Sequence, residues 1–164
     1  MLENLDKISW KKLKHAYGEA ADVPGLIRKL ASKDIKDRED ALWYLYGNIW
    51  HQGTVYEATS YAVPFLIELL ENPVTDKDKI LLYLAELACG HSYLDVHRTM
   101  SFYDGERDKD EFKKQLQKEL KWVKASREAV LKGCPLYRKL LHDEDPSVRK
   151  EAACLLDIFS EKNK

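Results

Sequence analysis

His51 and Glu57 lie close in the chain, and a carboxylate that orients an imidazole is the minimal apparatus of general acid–base chemistry. No nucleophile motif accompanies them, so no residue is assigned a catalytic role, and an enzyme centred on this pair is kept only as an alternative. Cys89, His91 and His97 carry side chains that bind metals. Their spacing matches no structural zinc pattern and no fourth ligand follows nearby, so neither a metal nor a cofactor is expected. Cys134 precedes Pro135 on an apolar stretch, and Cys154 lies inside Ala152-Ala153-Cys154-Leu155-Leu156. Both read as small core residues.

The densest group of side chains is aromatic. Trp43, Tyr44, Tyr46, Trp50, Tyr56, Tyr61 and Phe65 fall within 23 residues. Aromatics at 43, 44 and 46 cannot all point one way on a helix. Most are expected to fill the gap between neighbouring helices. The members in and just after the stretch bounded by Gly47 and Gly53 read differently. There Trp50, His51, Tyr56 and Glu57 are the expected partner-binding residues, because an exposed Trp or Tyr supplies large contact area at low entropic cost. A second candidate surface is basic: Lys113, Lys114, Lys118, Lys121 and Lys124, of which 114, 118 and 121 share a helical face. Glu119 interrupts it, an acidic cluster precedes it, and the net charge of −1 provides no global field for phosphates. It reads as a solvated helix side, with nucleic-acid binding as the alternative function.

These residues need a scaffold, and the composition restricts which one. An apolar fraction of 45% excludes disorder, while seven glycines and five prolines in 164 residues argue against a strand-and-turn architecture. No run approaches the roughly 20 apolar residues of a membrane helix, and the N-terminus lacks an apolar signal core. Three widely spaced cysteines fit reduced thiols in a cytoplasmic protein.

Helical periodicity dominates. The spacing predicts a first helix over about 6–17, with Asp6 as its N-cap and Gly18 as its stop. A short helix follows Asp22, and a second runs over about 36–49 through Ala41, Leu42, Leu45 and Ile49. Thr54-Val55-Tyr56-Glu57 reads as a capping box that opens the next helix, which carries Pro64 in its interior and runs to about Leu70. Its partner covers about 76–89. Residues 91–107 have no period and read as an inserted loop. A long helix from Asp108 is expected to kink at Gly133-Cys134-Pro135. Asp145-Pro146-Ser147 starts a last helix, to about Phe159.

Three segments look like copies: Val23-Pro24-Gly25-Leu26-Ile27-Arg28-Lys29-Leu30, Val63-Pro64-Phe65-Leu66-Ile67-Glu68-Leu69-Leu70 and Cys134-Pro135-Leu136-Tyr137-Arg138-Lys139-Leu140-Leu141. Each is followed by a polar turn and a second apolar helix. Pro24 precedes Arg38 by 14 residues, Pro64 precedes Lys79 by 15 and Pro135 precedes Arg149 by 14. With Asp145-Pro146-Ser147-Val148-Arg149-Lys150-Glu151-Ala152-Ala153, these features resemble bacterial HEAT-like repeat proteins over about 22–90 and 126–159. The resemblance implies an all-α fold, a short α-solenoid of seven or eight helices in HEAT-like pairs. It forms a single domain over 1–164, with units at about 22–50, 54–90 and 108–160. It also implies that Arg38, Lys79, Asp145 and Arg149 support contacts between units. Helix-pair stacks mostly bind macromolecules. The expected function is therefore noncatalytic protein binding, and a toxin-neutralising immunity protein that covers its partner's working site is its most concrete form.

Overall fold

A computed structural model describes residues 1–97 and 109–160. Within them the chain is predominantly helical. Eight α-helices follow one another: α1 (Val23–Lys29), α2 (Ile35–Asn48), α3 (Glu57–Leu69), α4 (Lys77–Cys89), α5 (Tyr93–His97), α6 (Lys109–Leu131), α7 (Cys134–Leu140) and α8 (Pro146–Ser160). Two antiparallel hairpins accompany them, β1 (Lys14–His15) with β2 (Gly18–Glu19) before α1 and β3 (Trp50–His51) with β4 (Thr54–Val55) between α2 and α3. No helix among the described residues is long and apolar enough to cross a membrane.

The N-terminal segment departs from expectation. In place of a helix over 6–17 it forms two 3-10 turns, Leu5–Lys7 and Trp10–Lys12, and then the β1–β2 hairpin. The apolar spacing 5, 8 and 10, 13 is three residues, the period of a 3-10 turn. The Trp10 indole donates to the Leu5 carbonyl at 2.8 Å, closing the irregular backbone on itself. Leu5, Trp10 and Leu13 are buried, with the Trp10 ring 6.4 Å from that of Phe65 on α3. Gly18 ends no helix; its φ of +120° serves the hairpin instead. Asp6 caps nothing and pairs with Arg28.

The expected helix at Thr54 is a second correction. Helix α3 begins at Glu57, and its first turn is closed by Thr59, whose hydroxyl accepts from the Tyr56 N–H at 2.9 Å while its own N–H donates to the Tyr56 carbonyl at 3.1 Å. The Thr54 hydroxyl is occupied by the His51 carbonyl at 2.7 Å, so that residue closes a hairpin rather than a helix. Pro64 lies inside α3 as expected. The expected insertion is partly α5; residues 98–107, and Asp108 beyond them, lie outside the described residues. Helices α6 and α7 are separated at Lys132–Gly133. The close packing of Tyr137 there leaves no room for a side chain at 133, since an added Cβ would fall 2.2 Å from its hydroxyl.

One apolar cluster runs from Leu5 to Leu155. Helix α1 packs on α2 and α3, α3 on α4 and α6, α4 on α6 and α8, and α7 on α8. Leu45, Leu66, Leu69, Leu81 and Leu84 at its centre are inaccessible, and each such side chain stabilises the fold by about 1.5–3 kcal/mol relative to exposure.

The turns before α2 and α8 are built alike. Arg38 Nη1 donates to the carbonyls of Ser32 and Lys33, at 2.9 and 3.4 Å. Arg149 Nη1 donates to those of Asp143 and Glu144, at 2.8 and 2.9 Å. Asp34 and Asp145 each accept from the backbone N–H two residues on, both at 2.8 Å. Ion pairs then join successive turns. Arg38 grips Asp76 through two hydrogen bonds of 2.9 and 3.2 Å, and Lys77 reaches Asp143 at 3.0 Å. Lys79 bonds Glu39 at 3.2 Å. Arg38 and Lys79 thus span neighbouring turns, whereas Asp145 and Arg149 act within their own.

Candidate functional site

The hairpin β3–β4 closes through Gln52 and Gly53, whose φ angles of +49° and +87° give the doubly left-handed turn that two-residue hairpins prefer. It projects from the end of α2 and brings Trp50 and His51 beside the aromatics of that helix. The Tyr46 ring rests on Tyr83 of α4, with centroids 4.3 Å apart, and the buried Tyr83 hydroxyl donates to the Leu45 carbonyl at 2.7 Å. Burial, with the Glu86 carboxylate as a smaller influence, pushes the Tyr46 phenol up to about 12. Trp50 stands edge-on to Tyr46, 5.5 Å away at 83°, and its buried indole N–H has no hydrogen-bond acceptor.

The opposite wall comes from the N-terminal hairpin, which a polar network fixes to α2. The Tyr17 N–H donates to His15 Nδ1 at 3.0 Å, so that nitrogen is the acceptor and Nε2 carries the proton donated to Asp22 at 3.0 Å. The other Asp22 oxygen accepts from the Asn48 side chain, and the Ala16 N–H donates to the Asn48 carbonyl at 3.0 Å. This network explains why Asp22, in the N-cap position of α1, makes no capping bond. It also holds Tyr17 against the open side of Gly47, where an added Cβ would meet only the Tyr17 ring, at 4.0 Å. The Tyr17 hydroxyl lies 3.5 Å from His51 Nδ1, and the two rings meet edge to face at 5.5 Å.

Together these elements enclose a groove of about 890 Å³, walled mainly by Tyr17, Trp43, Tyr44, Tyr46, Trp50 and His51. Its aromatic walls reach solvent: Trp43 is 76% exposed, Tyr17 70% and Tyr44 58%. This corrects the expectation that most aromatics of the 43–65 cluster fill the interior. Phe65 is buried, Tyr46, Trp50 and Tyr56 are half-buried, and Trp43, Tyr44 and Tyr61 face out.

Of the sequence-predicted site residues, Trp50 and His51 line this groove. Tyr56 lines a second, more polar hollow of about 540 Å³ on the far side of Tyr17 and His51, with Lys14, Tyr93, Lys118 and Trp122. The Thr54 hydroxyl gives its one proton to His51, so the Tyr56 hydroxyl is the donor in their 2.8 Å bond. Glu57 lines neither hollow. Its carboxylate accepts from the Lys14 N–H at 3.3 Å, and it forms no pair with His51. At the floor of the second hollow Glu119 is buried, and it accepts from Ser92 Oγ at 2.8 Å, Leu94 N at 2.9 Å and Gln115 at 3.1 Å. Lys118 lies over the Trp122 ring at 5.4 Å, and Lys124 pairs with Glu128 on the same helix, so two of the five lysines of the basic run are engaged.

Among the described residues the histidine held by a carboxylate is His15, and its acceptor nitrogen is filled by backbone. Cys134 is buried, and desolvation raises its thiol, whereas Cys89 and Cys154 are exposed, so Cys154 is not the core residue its apolar neighbours suggest. Among the described residues, no three His, Cys, Asp or Glu side chains gather as a metal site would require. No family model, curated protein or solved structure matches the chain.

The sequence reading missed Tyr17, Trp43 and Tyr44 as site residues. The signal for Trp43 was present: counting on from Trp43 by helical steps reaches Gly47 and Trp50, a stripe interrupted at its centre by the one residue without a side chain. Tyr17 had no such signal, because its place depends on a hairpin read as a helix.

Proposed function

We propose that this chain is a noncatalytic protein-binding scaffold of stacked HEAT-like helix pairs. In its most concrete form it is a cytoplasmic immunity protein that covers the working site of a toxin. The observation that carries the reading is the groove, in which three largely exposed aromatics converge on a floor anchored to the core through Tyr83. Large rigid aromatics that stay exposed cost solvation without benefit to the fold, and they are the side chains that dominate binding energy at protein interfaces. The alternation of packing, α3 between α1 and α6 and α4 beside α8, supports the stacked arrangement, as do the matching turns at Arg38 and Arg149. A rigid scaffold of this kind acts by occlusion and needs no chemistry of its own.

The test is affinity capture from the native host with the wild-type chain, with Trp43→Ala plus Tyr44→Ala, and with Trp50→Ala plus Tyr56→Ala. A specific protein captured by the wild type and lost with the first pair is expected. Capture unchanged by both pairs rejects this surface.

A further inference from the structure

We propose that the aromatic groove receives an arginine side chain of the protein partner, stacked against Trp43, Tyr44 and Tyr17. This rests on the protein-binding reading and adds the chemistry of what enters. The first argument is charge. A chain with 27 lysines and arginines among 164 residues has none between Arg38 and Lys77, the stretch that supplies the helix face and hairpin of the groove. The same stretch holds six acids, of which Glu57, Glu68 and Asp76 are engaged by the Lys14 N–H, the N-terminal residues and Arg38. Glu39 and Asp40 stand one helical turn before Trp43 and Tyr44. They are engaged by Lys79 and Lys36, at 3.2 and 3.1 Å. Glu86 has no ion-pair partner among the described residues and lies close enough to Tyr46 to bear on its phenol. Among the described residues no lysine or arginine lines the groove. The neighbouring hollow, by contrast, carries Lys14 and Lys118 at its rim above the buried Glu119 carboxylate, so a cation entering it meets two ammonium groups that the groove does not present.

The second argument is shape. Ring faces carry the negative part of the aromatic quadrupole. A guanidinium is planar, weakly hydrated and stacks on them better than the compact, strongly hydrated ammonium of lysine. The space for it is opened by Gly47. This glycine lies within α2, has no positive φ and has no neighbour that an added Cβ would strike. Neither backbone conformation nor crowding calls for glycine there, and helix propensity disfavours it. What its missing side chain leaves is depth between Trp43, Tyr17 and Trp50.

The experiment titrates fluorescently labelled short Gly/Ser peptides carrying arginine, lysine, glutamine or glutamate into the full chain, reading anisotropy at low and physiological salt. The arginine peptide is expected to bind at least tenfold more tightly than the glutamine peptide and more tightly than the lysine one. Trp43→Ala plus Tyr44→Ala and, separately, Gly47→Leu should each weaken it tenfold or more, with helicity by circular dichroism unchanged, and Glu86→Gln should weaken it a few-fold. Equal affinity for arginine and glutamine peptides overturns the proposal. So does arginine binding that no groove variant alters, which would be diffuse electrostatics. If the arginine peptide fails while Trp43→Ala plus Tyr44→Ala still abolishes partner capture, the cation is wrong and protein binding stands. If capture also persists, both readings fall.

Discussion

Gly90 shows how little slack single positions have. An added Cβ there would lie 2.3 Å from Val55 Cγ1, because the backbone at 90–91 is laid along β4: His91 N–H donates to Gly53 at 2.8 Å and accepts, through its carbonyl, from Val55 at 3.0 Å. Gly90→Ala should destabilise the chain by about 1–3 kcal/mol in urea unfolding, the usual cost of overpacking, and Val55→Ala should restore part of it in the double variant. The buried tyrosines predict a second, pH-dependent effect. Tyr46 is pushed up to about 12, and Tyr83 and Tyr137 are raised by burial as well. An unfolded tyrosine ionises near 10, so between about 10 and 12 the folded chain binds more protons than the unfolded one. Stability is therefore full below pH 10 and falls as pH rises through the folded values. For Tyr46 alone the loss is on the order of 2–3 kcal/mol. Urea midpoints measured from pH 8 to 12 should show this decline, and Tyr46→Phe should flatten it.

Among the elements, α2 carries most of the site. Its helical residues could be read from periodicity, because Ala41 and Leu45 are buried a turn apart and Asp34 caps the start. The meaning of Gly47 could not, since it depends on Tyr17 arriving from a distant hairpin. Gly47→Ala should raise stability by about 0.5 kcal/mol, less than the mid-helix value because the position is near the helix end, while weakening arginine-peptide binding. Thermal unfolding together with anisotropy would check both signs. The N-terminal segment was misread for a definable reason: apolar residues three apart suit an α-helix and a 3-10 turn alike, and the Trp10-to-Leu5 bond that decides between them is a tertiary choice. Thr54 was misread similarly, since one hydroxyl can cap a helix or close a hairpin, and here the His51 carbonyl takes it. Trp50 and His51 were found because turn glycines bracketed them, whereas Glu57 was assigned by sequence proximity to a histidine it does not meet.

On the scale of the whole molecule, the turns matter as much as the core. Arg38 joins its own turn to Asp76, and Lys77 carries the connection on to Asp143, whose carboxyl is held below its usual range chiefly by the Lys77 hydrogen bond. The sequence copies pointed to Arg38 and Arg149 but not to Asp76, Lys77 or Asp143, which differ in type from unit to unit. A double-mutant cycle on Arg38→Ala and Asp76→Ala should give a coupling well above that of the exposed Lys36–Asp40 pair, because the Arg38 guanidinium is buried and grips Asp76 through two hydrogen bonds. Arg38→Lys should not rescue it, as an ammonium cannot reproduce the forked geometry. The seat of Tyr46 on Tyr83 has a consequence for synthesis. Every wall of the groove falls between residues 17 and 52, yet the ring beneath its floor belongs to α4. As the chain leaves the ribosome, the walls emerge well before their support, so a partner encountering a nascent chain would meet a surface still free to shift, and firm grip would arrive only once position 83 had cleared the exit tunnel.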